Sequence, residues 1–394
     1  AALERLAEAS RARSTARIAA ITGSVGKTGT KEMLVEALRP DGEVHYSAAS
    51  FNNHWGVPLS LARMPDSARY GIFEIGMNHA GEIEPLTKLV APHVAIVTTV
   101  EPVHLEFFDS VEGIALAKAE IFLGLVPDGV AVINADNPHA GLLAQQAAMA
   151  GVGRIVRFGE ARDADARLDM VKLKPECSCI SAVILGEKVT YKLGAPGRHL
   201  VQNSLAVLAA VTLLGGDLAA ATLALGTLSA PKGRGARLRL AVPGGGSATL
   251  IDESYNANPA SMGAAIRLLG QAEPEARGRR IAVLGDMREL GPTSLDLHAG
   301  LAPELVAARV DKVFLAGPHM RALHDALPAA LRGGYAETAA DLEAMVAESI
   351  ERGDVIMVKG SNASRMWGLV DRLKSELGIA ADPGGVPLYK NGVP

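Results

Sequence analysis

Four stretches in the first 160 residues are apolar at nearly every position and bounded by turn residues: "ARIAAITG", "YGIFEIGM", "PHVAIVTTV" and "GVAVINAD". Continuous rather than alternating apolarity marks strands covered on both faces, the condition of a parallel sheet. Helical stretches lie between them, including 30–39 and 110–125. The second opens with "DSVE", where Asp109 is placed to cap and Glu112 sits three residues on, a capping-box spacing. Between 165 and 193 the pattern changes. "ARLDMVKL", "SCISAVIL" and "KVTYKL" read as antiparallel strands, and a helix follows from about 199 to 214.

"SAPKGRGARLRL" (229–240), rich in Gly, Pro and Arg, is the expected linker. The rhythm then restarts with strands "SATLIDES", "RRIAVLGD", "DKVFLAG" and "GDVIMVKG", and helices near 259–271, 294–309, 319–331 and 340–352. The expected fold class is α/β. A mostly parallel sheet is expected in 1–231, and a second, Rossmann-like three-layer α/β domain in 232–394.

Composition narrows the partners. The 394 residues are 48% hydrophobic and 21% charged, ordinary for soluble domains and enough for two or three of them. A net charge of −4 gives no basis for nucleic-acid binding. No apolar run approaches the roughly 18–20 residues that span a bilayer, so membrane insertion is not expected. Cys177 and Cys179 alternate along one strand and point the same way, a poor geometry for a bridge, which makes reduced thiols in a cytoplasm the default. The chain has no initiator Met and opens within "ALERLAEASRARS", an amphipathic helical pattern, so it is expected to start partway through a larger protein.

Candidate chemistry begins where the first strand ends, in "ITGSVGKTGTKE". The core resembles a phosphate-binding loop, although the standard pattern places Gly where Ile21 stands. Gly23, Ser24 and Gly26 turn backbone N–H groups toward an anion, the next helix adds its N-terminal dipole, Lys27 reaches phosphates and Thr28 can ligate Mg²⁺. Glu74, in the next apolar strand, is either a satisfied buried acid or a metal ligand. His104, in "TTVEPVHLE", is structural or a ligand. In an open parallel sheet ligands bind outside the carboxyl ends of the strands, and these groups follow three such ends. The stretch "GIALAKAEIF" adds an oddly placed lysine: Lys118 shares an apolar stripe with Ile114, Ile121 and Phe122. Either it snorkels past them or something holds or changes its charge.

"TGSVGKTGTKEML", "EIGMNHAGEI", "HLEFFDSVEGIALAKAEIF", "DESYNANPASM", "GDMRELG" and "VKGSNASRM" resemble, in order and spacing, the Mur ligases, the ATP-dependent amide-forming enzymes of peptidoglycan synthesis. Within that family, "SYNANPASM" with "EIGMNHAGEI" points to members that add D-alanyl-D-alanine to UDP-N-acetylmuramoyl-tripeptide. The resemblance runs from about 17 to 375. It implies three domains: one for the UDP end, expected to lie outside this sequence, a central ATPase of the P-loop type, and a C-terminal domain closing over the site. It also implies a cytoplasmic bacterial enzyme, expected as a monomer, with ATP, two Mg²⁺ and a carbamate on Lys118 formed from CO₂. Neighbouring alternatives are another amino-acid or polyglutamate ligase and a catalytically silent nucleotide-binding regulator.

The resemblance further implies roles residue by residue. Lys27 and the loop amides hold the β- and γ-phosphates, Thr28 and Glu74 ligate one Mg²⁺, and His104 with carbamylated Lys118 ligates a second. Asn203 meets the adenine, with the alternative that it caps its helix. Arg237 or Arg234 meets the nucleotide, Asp252 or Glu253 the ribose, and Tyr255 and Asn256 lie beside the base, with Asn256 and Asn258 otherwise turn residues before Pro259. Asn52, Asn53, Asn78 and His79 are expected substrate contacts, as are Ser361, Asn362, Ser364 and Arg365 for the amine's carboxylate. Val25 and Gly29 depart from the family's frequent Asn and Thr or Ser.

Overall fold

The structure, a computed structural model, describes residues 2–48, 51–103, 105–174, 176–229 and 232–380. The chain divides into two compact units, Ala1–Ser229 and Ala230–Pro394. Among the described residues no helix is long and apolar enough to cross a membrane.

The first unit is built on nine strands: β1 (Arg17–Thr22), β2 (Val44–Tyr46), β3 (Tyr70–Glu74), β4 (Val94–Val97), β5 (Val130–Asn134), β6 (Arg154–Gly159), β7 (Ala166–Leu173), β8 (Ser178–Ile184) and β9 (Glu187–Leu193). They form one sheet in the order β2-β3-β1-β4-β5-β6-β7-β8-β9. It is parallel through β7 and then turns back in the antiparallel pairs β7–β8 and β8–β9. Both Cys177 and Cys179 are free thiols.

Its helices are α1 (Ala2–Arg13), α2 (Lys27–Leu38), α3 (Gly56–Ala62), α4 (Ile83–Val90), α5 (Val111–Ala119), α6 (Ala140–Met149), α7 (Arg198–Leu213) and α8 (Leu218–Leu225). Successive side chains of a strand point to opposite faces, and β1 shows why its run is apolar throughout. Ala19 and Ile21 join a core with α2, α7 and α8, whereas Ile18 and Ala20 join one with α1, α3, α4, α5 and α6.

Where β4 enters the sheet, the buried side of His93 accepts a hydrogen bond from the Ile18 N–H through Nδ1 at 3.0 Å. Burial, then the charges of Arg17 and Arg11, push its pKa from 6.5 down to about 4. The unfolded chain therefore takes up this proton first. Stability falls as pH drops from about 6.5 toward about 4, and above that window the group contributes no pH dependence. The expected result is a lower urea midpoint at about pH 5 than at about pH 7.5, with the difference narrowed in His93→Gln.

The second unit holds β10 (Ala236–Ala241), β11 (Ser247–Glu253), β12 (Arg280–Gly285), β13 (Lys312–Ala316), β14 (Arg332–Ala336) and β15 (Val355–Lys359) in the order β10-β11-β15-β12-β13-β14. All neighbours are parallel except β10 with β11. Helices α9 (Pro259–Gln271), α10 (Ser294–Ala299), α11 (Leu301–Ala307), α12 (Met320–Ala326), α13 (Ala339–Ser349) and α14 (Met366–Leu377) cover its two faces, giving separate cores on either side.

Several expected elements change. The second half of the expected linker is strand β10, an edge strand in which Ala236, Leu238 and Leu240 are buried and Arg237 and Arg239 are not. Residues 230 and 231 of that stretch lie outside the described residues. The helix expected over 294–309 breaks at Gly300 into α10 and α11. That expected over 110–125 is α5 followed by a 3₁₀ turn, Glu120–Gly124.

Candidate active site

The phosphate-loop motif sits at the carboxyl end of β1. Ile21 stands where the standard motif has Gly because β1 runs on through it, burying its side chain in the core. The loop proper turns at Gly23 and Gly26, whose φ angles are 148° and 84°. Gly26 is also the N-cap of α2. A Cβ there would lie 2.7 Å from Asn203 Nδ2, so the left-handed turn and the packing both call for glycine. The loop is pinned to the segment after β4: Ser24 N–H donates to Thr99 O at 2.8 Å, and Thr98 Oγ1 donates to Val25 O at 2.6 Å. Lys27 Nζ folds back to Gly23 O at 2.7 Å.

Parallel pairing of β1 with β3 sets Ile21 opposite Glu74, so the end of β3 delivers its carboxylate beside the loop. Glu74 is 2% exposed. Among the described residues each of its oxygens receives one hydrogen bond: Thr28 Oγ1 donates to Oε2 at 2.8 Å and Asn52 Nδ2 to Oε1 at 2.9 Å.

Helix α5 carries the odd lysine. Its N-cap is Ser110, which accepts from Gly113 N–H at 3.1 Å, and not the neighbouring Asp109. Lys118 is 2% exposed, with Ile114, Ile121 and Phe122 fully buried around the same stripe. The snorkelling alternative is thereby excluded. Desolvation, and second the positive charge of Lys27, push its pKa well below the usual lysine value. Both causes favour the neutral amine. Two residues on, Glu120 accepts from Gly81, Ile83 and Glu84 N–H groups at 2.6–3.2 Å, capping α4 and fixing the "MNHAGE" turn against α5. In that turn Asn78 and His79 are exposed, His79 pairing with Glu82 at 3.0 Å and stacking near Phe107 with ring centres 4.7 Å apart. His104 lies outside the described residues.

Asn203 is not a helix cap: it sits inside α7, whose N-cap is Gly197, and turns its amide to the phosphate loop. Asn53 Oδ1 accepts from the Trp55 and Gly56 N–H groups at the start of α3.

Within the second unit, Asp252 is 1% exposed and held from three segments, accepting from Gly233 N–H at 3.1 Å and Ser254 Oγ at 2.5 Å and lying 3.9 Å from Lys374 Nζ. Glu253 instead pairs with buried Lys359 at 3.4 Å. Arg234 lays its guanidinium over the Tyr255 ring at 3.9 Å, whereas Arg237 is on β10 opposite Ile251. Asn256 gives its carbonyl to Lys359 at 2.9 Å, and Asn258 caps α9 in a capping box with Ser261. Of the loop after β15, Ser361 is buried, Asn362 and Arg365 are exposed, and Ser364 Oγ donates to Ser361 O at 2.6 Å. Asp286, His298 and His319 bring ligand-type atoms within 4.8 Å of one another. Both nitrogens of His298 are already used, Nδ1 donating to Ser294 O and Nε2 accepting from Met287 N–H, so the three do not form an open metal set.

Residues 21–211 match the Mur ligase middle domain, and 237–362 match the glutamate ligase domain of Mur ligases. The UDP-N-acetylmuramoyl-tripeptide–D-alanyl-D-alanine ligase of Rickettsia prowazekii is 33% identical over 370 residues, which cover 94% of this chain and 81% of that one. The chain belongs to the Mur ligase family. The enzyme of the same name from Escherichia coli is 34% identical, over 91% of this chain and 77% of its own. Among solved structures, MurF from Acinetobacter baumannii superposes with a TM-score of 0.85 at 29% identity, covering 95% of this chain and 80% of that one.

Two features of this Mur ligase escaped the sequence reading. Lys31, one turn beyond Lys27 on α2, is fully buried, with Nζ 2.8 Å from Ser47 O and 3.0 Å from Glu32 Oε1. The bond from Asn52 to Glu74 links residues 22 apart in sequence and has no local signal. A second lysine one helical turn from the phosphate-loop lysine was the available clue to the first.

Proposed function

We propose that this Mur ligase joins D-alanyl-D-alanine to UDP-N-acetylmuramoyl-tripeptide at the expense of ATP, in bacterial peptidoglycan precursor synthesis. The name and extent of the relatives support the substrates. The observation that carries the chemistry is the burial of the Lys118 amine, 2% exposed, where desolvation and then the charge of Lys27 disfavour the ammonium form.

In the first step a terminal carboxylate oxygen of the tripeptide attacks the γ-phosphorus, the bond to the ADP oxygen breaks and an acyl phosphate forms. In the second, the amine nitrogen of D-alanyl-D-alanine attacks the acyl carbon, the carbon–oxygen bond to phosphate breaks, and the nitrogen loses a proton. Little covalent work falls to the protein; positioning and charge neutralisation dominate such transfers. The loop amides around Gly23, Ser24 and Gly26 and the Lys27 ammonium hold the phosphates.

Thr28 and Glu74 present oxygens 2.8 Å apart beside the loop, a donor set that fits a hard cation. Mg²⁺ bound there, and a second held by His104 and the Lys118 carbamate, would neutralise charge on the polyphosphate. The neutral Lys118 amine adds to CO₂, forming an N–C bond and releasing a proton, which turns a poor cation ligand into an oxygen donor.

In the ATP-binding part, assigned to residues 1–231, Asn203 is proposed to meet the adenine, and Asn53, Asn78 and His79 the tripeptide. In 232–394, nucleotide contacts are assigned to Arg234 or Arg237, Glu253 or Asp252, Tyr255 and Asn256. Ser361, Asn362 and Arg365 are assigned to the dipeptide carboxylate. Because the Asp252 side chain is 1% exposed and that of Glu253 16%, Glu253 is the better ribose partner. An isotopic test follows from the acyl phosphate. Heavy oxygen placed in the tripeptide carboxylate is expected in the released phosphate, one atom per turnover. Unlabelled phosphate would exclude the intermediate.

A further inference from the structure

We infer that Asn52 is a positioning residue for Glu74, holding the carboxylate so that it and Thr28 form a preformed hard-cation site; this rests on the metal-dependent reading above. A carboxylate 2% exposed needs compensation for the water it has lost. Among the described residues Glu74 receives it as one hydrogen bond per oxygen, from Thr28 at 2.8 Å and Asn52 at 2.9 Å. The two donors differ in what a cation does to them. A cation shared by Thr28 and Glu74 needs the lone pairs of the Thr28 oxygen and of Oε2, so the Thr28 hydrogen must turn away. The Asn52 bond is on the other oxygen and stays.

An amide is also the right donor there. It orients Oε1 without neutralising it, so the full negative charge is kept for the cation, whereas a lysine or arginine at this position would compete with the metal. Partners that orient a metal-ligating carboxylate in this way typically contribute 10–100-fold to affinity.

The seat of Asn52 is built from both sides. Its carbonyl accepts from the Gly76 N–H at 2.8 Å, tying it to the chain just beyond β3. Its side chain lies flat on Gly76, where a Cβ would come within 3.0 Å of Asn52 Cγ. The next residue, Asn53, caps the start of α3 with its own side chain, and Gly56 packs on the Phe51 backbone. The segment thus presents Asn52 inward to the carboxylate, which differs from the substrate contact that the sequence suggested.

The test uses the full chain with Mn²⁺ as a paramagnetic stand-in and ADP, read by electron paramagnetic resonance titration. Asn52→Ala is expected to weaken Mn²⁺ binding in the presence of ADP by about tenfold or more. It should leave the dissociation constant for UDP-N-acetylmuramoyl-tripeptide, measured without metal or nucleotide, unchanged. Gly76→Ala, which displaces the Asn52 side chain without removing its amide, should weaken Mn²⁺ binding in the same direction and serves if Asn52→Ala does not fold. Unchanged Mn²⁺ affinity in a folded variant, or a loss confined to the tripeptide, overturns the inference. The ligase reading fails separately, if the wild-type protein forms no amide.

Discussion

Lys118→Ala is expected to lower the rate of amide formation by on the order of a thousandfold, the scale seen when a group stabilising developing charge is deleted from a water-excluded site. The expectation follows from where the side chain is and not from its charge as drawn. An ammonium at a site 2% exposed, beside the charge of Lys27, is the form the surroundings disfavour. A neutral amine can take up CO₂, and the resulting anion offers oxygen to a cation. The alanine variant loses that anion and leaves a hole of matching shape, so formate or acetate should restore part of the rate, in proportion to its concentration and without bicarbonate. Full activity in the variant with no additive would remove Lys118 from the mechanism.

Lys27→Ala is expected to reduce kcat/KM for ATP by on the order of 10²–10³. In the structure Lys27 Nζ rests on Gly23 O at 2.7 Å and Ser24 O at 3.4 Å, a position from which a short swing reaches a phosphate seated on the loop. The substitution has a second, separable consequence. The Lys27 charge is the smaller of the two causes that depress the Lys118 pKa, so its removal lets that amine hold a proton to higher pH. Uptake of labelled CO₂ by the variant should accordingly need a higher pH than in the wild type, while burial, the larger cause, keeps the amine below the ordinary lysine range. Identical pH profiles for CO₂ uptake would contradict the coupling.

The parts of this enzyme that could be read from the sequence are those whose signal is local. The core strands β1, β3, β4 and β5 declare themselves because both faces are covered, and Lys118 stands out because it interrupts an apolar stripe. The edge strands do not. "VHY" in β2 and "RGGYA" in β14 are half-buried along their length and carry no apolar run. In β10 the alternation of buried Ala236, Leu238 and Leu240 was present but masked by the glycines and arginines around it. The capping-box spacing of Asp109 to Glu112 pointed one residue too early, because the helical backbone of α5 begins after Ser110, whose side chain takes the cap. The Asn52–Glu74 bond depends on two chain segments meeting at the end of β3, a fact of topology rather than of pattern. The membership itself was legible because its motifs recur in order across both units, and the family matches at 21–211 and 237–362 agree with that reading.

The most direct test of the central claim is the mass of the product. With ATP, Mg²⁺, UDP-N-acetylmuramoyl-tripeptide and D-alanyl-D-alanine, one new species is expected, the UDP-N-acetylmuramoyl-pentapeptide, formed in step with equal amounts of ADP and phosphate. A product that incorporates a single amino acid in preference to the dipeptide, or phosphate release that needs neither acceptor nor amine, would contradict it.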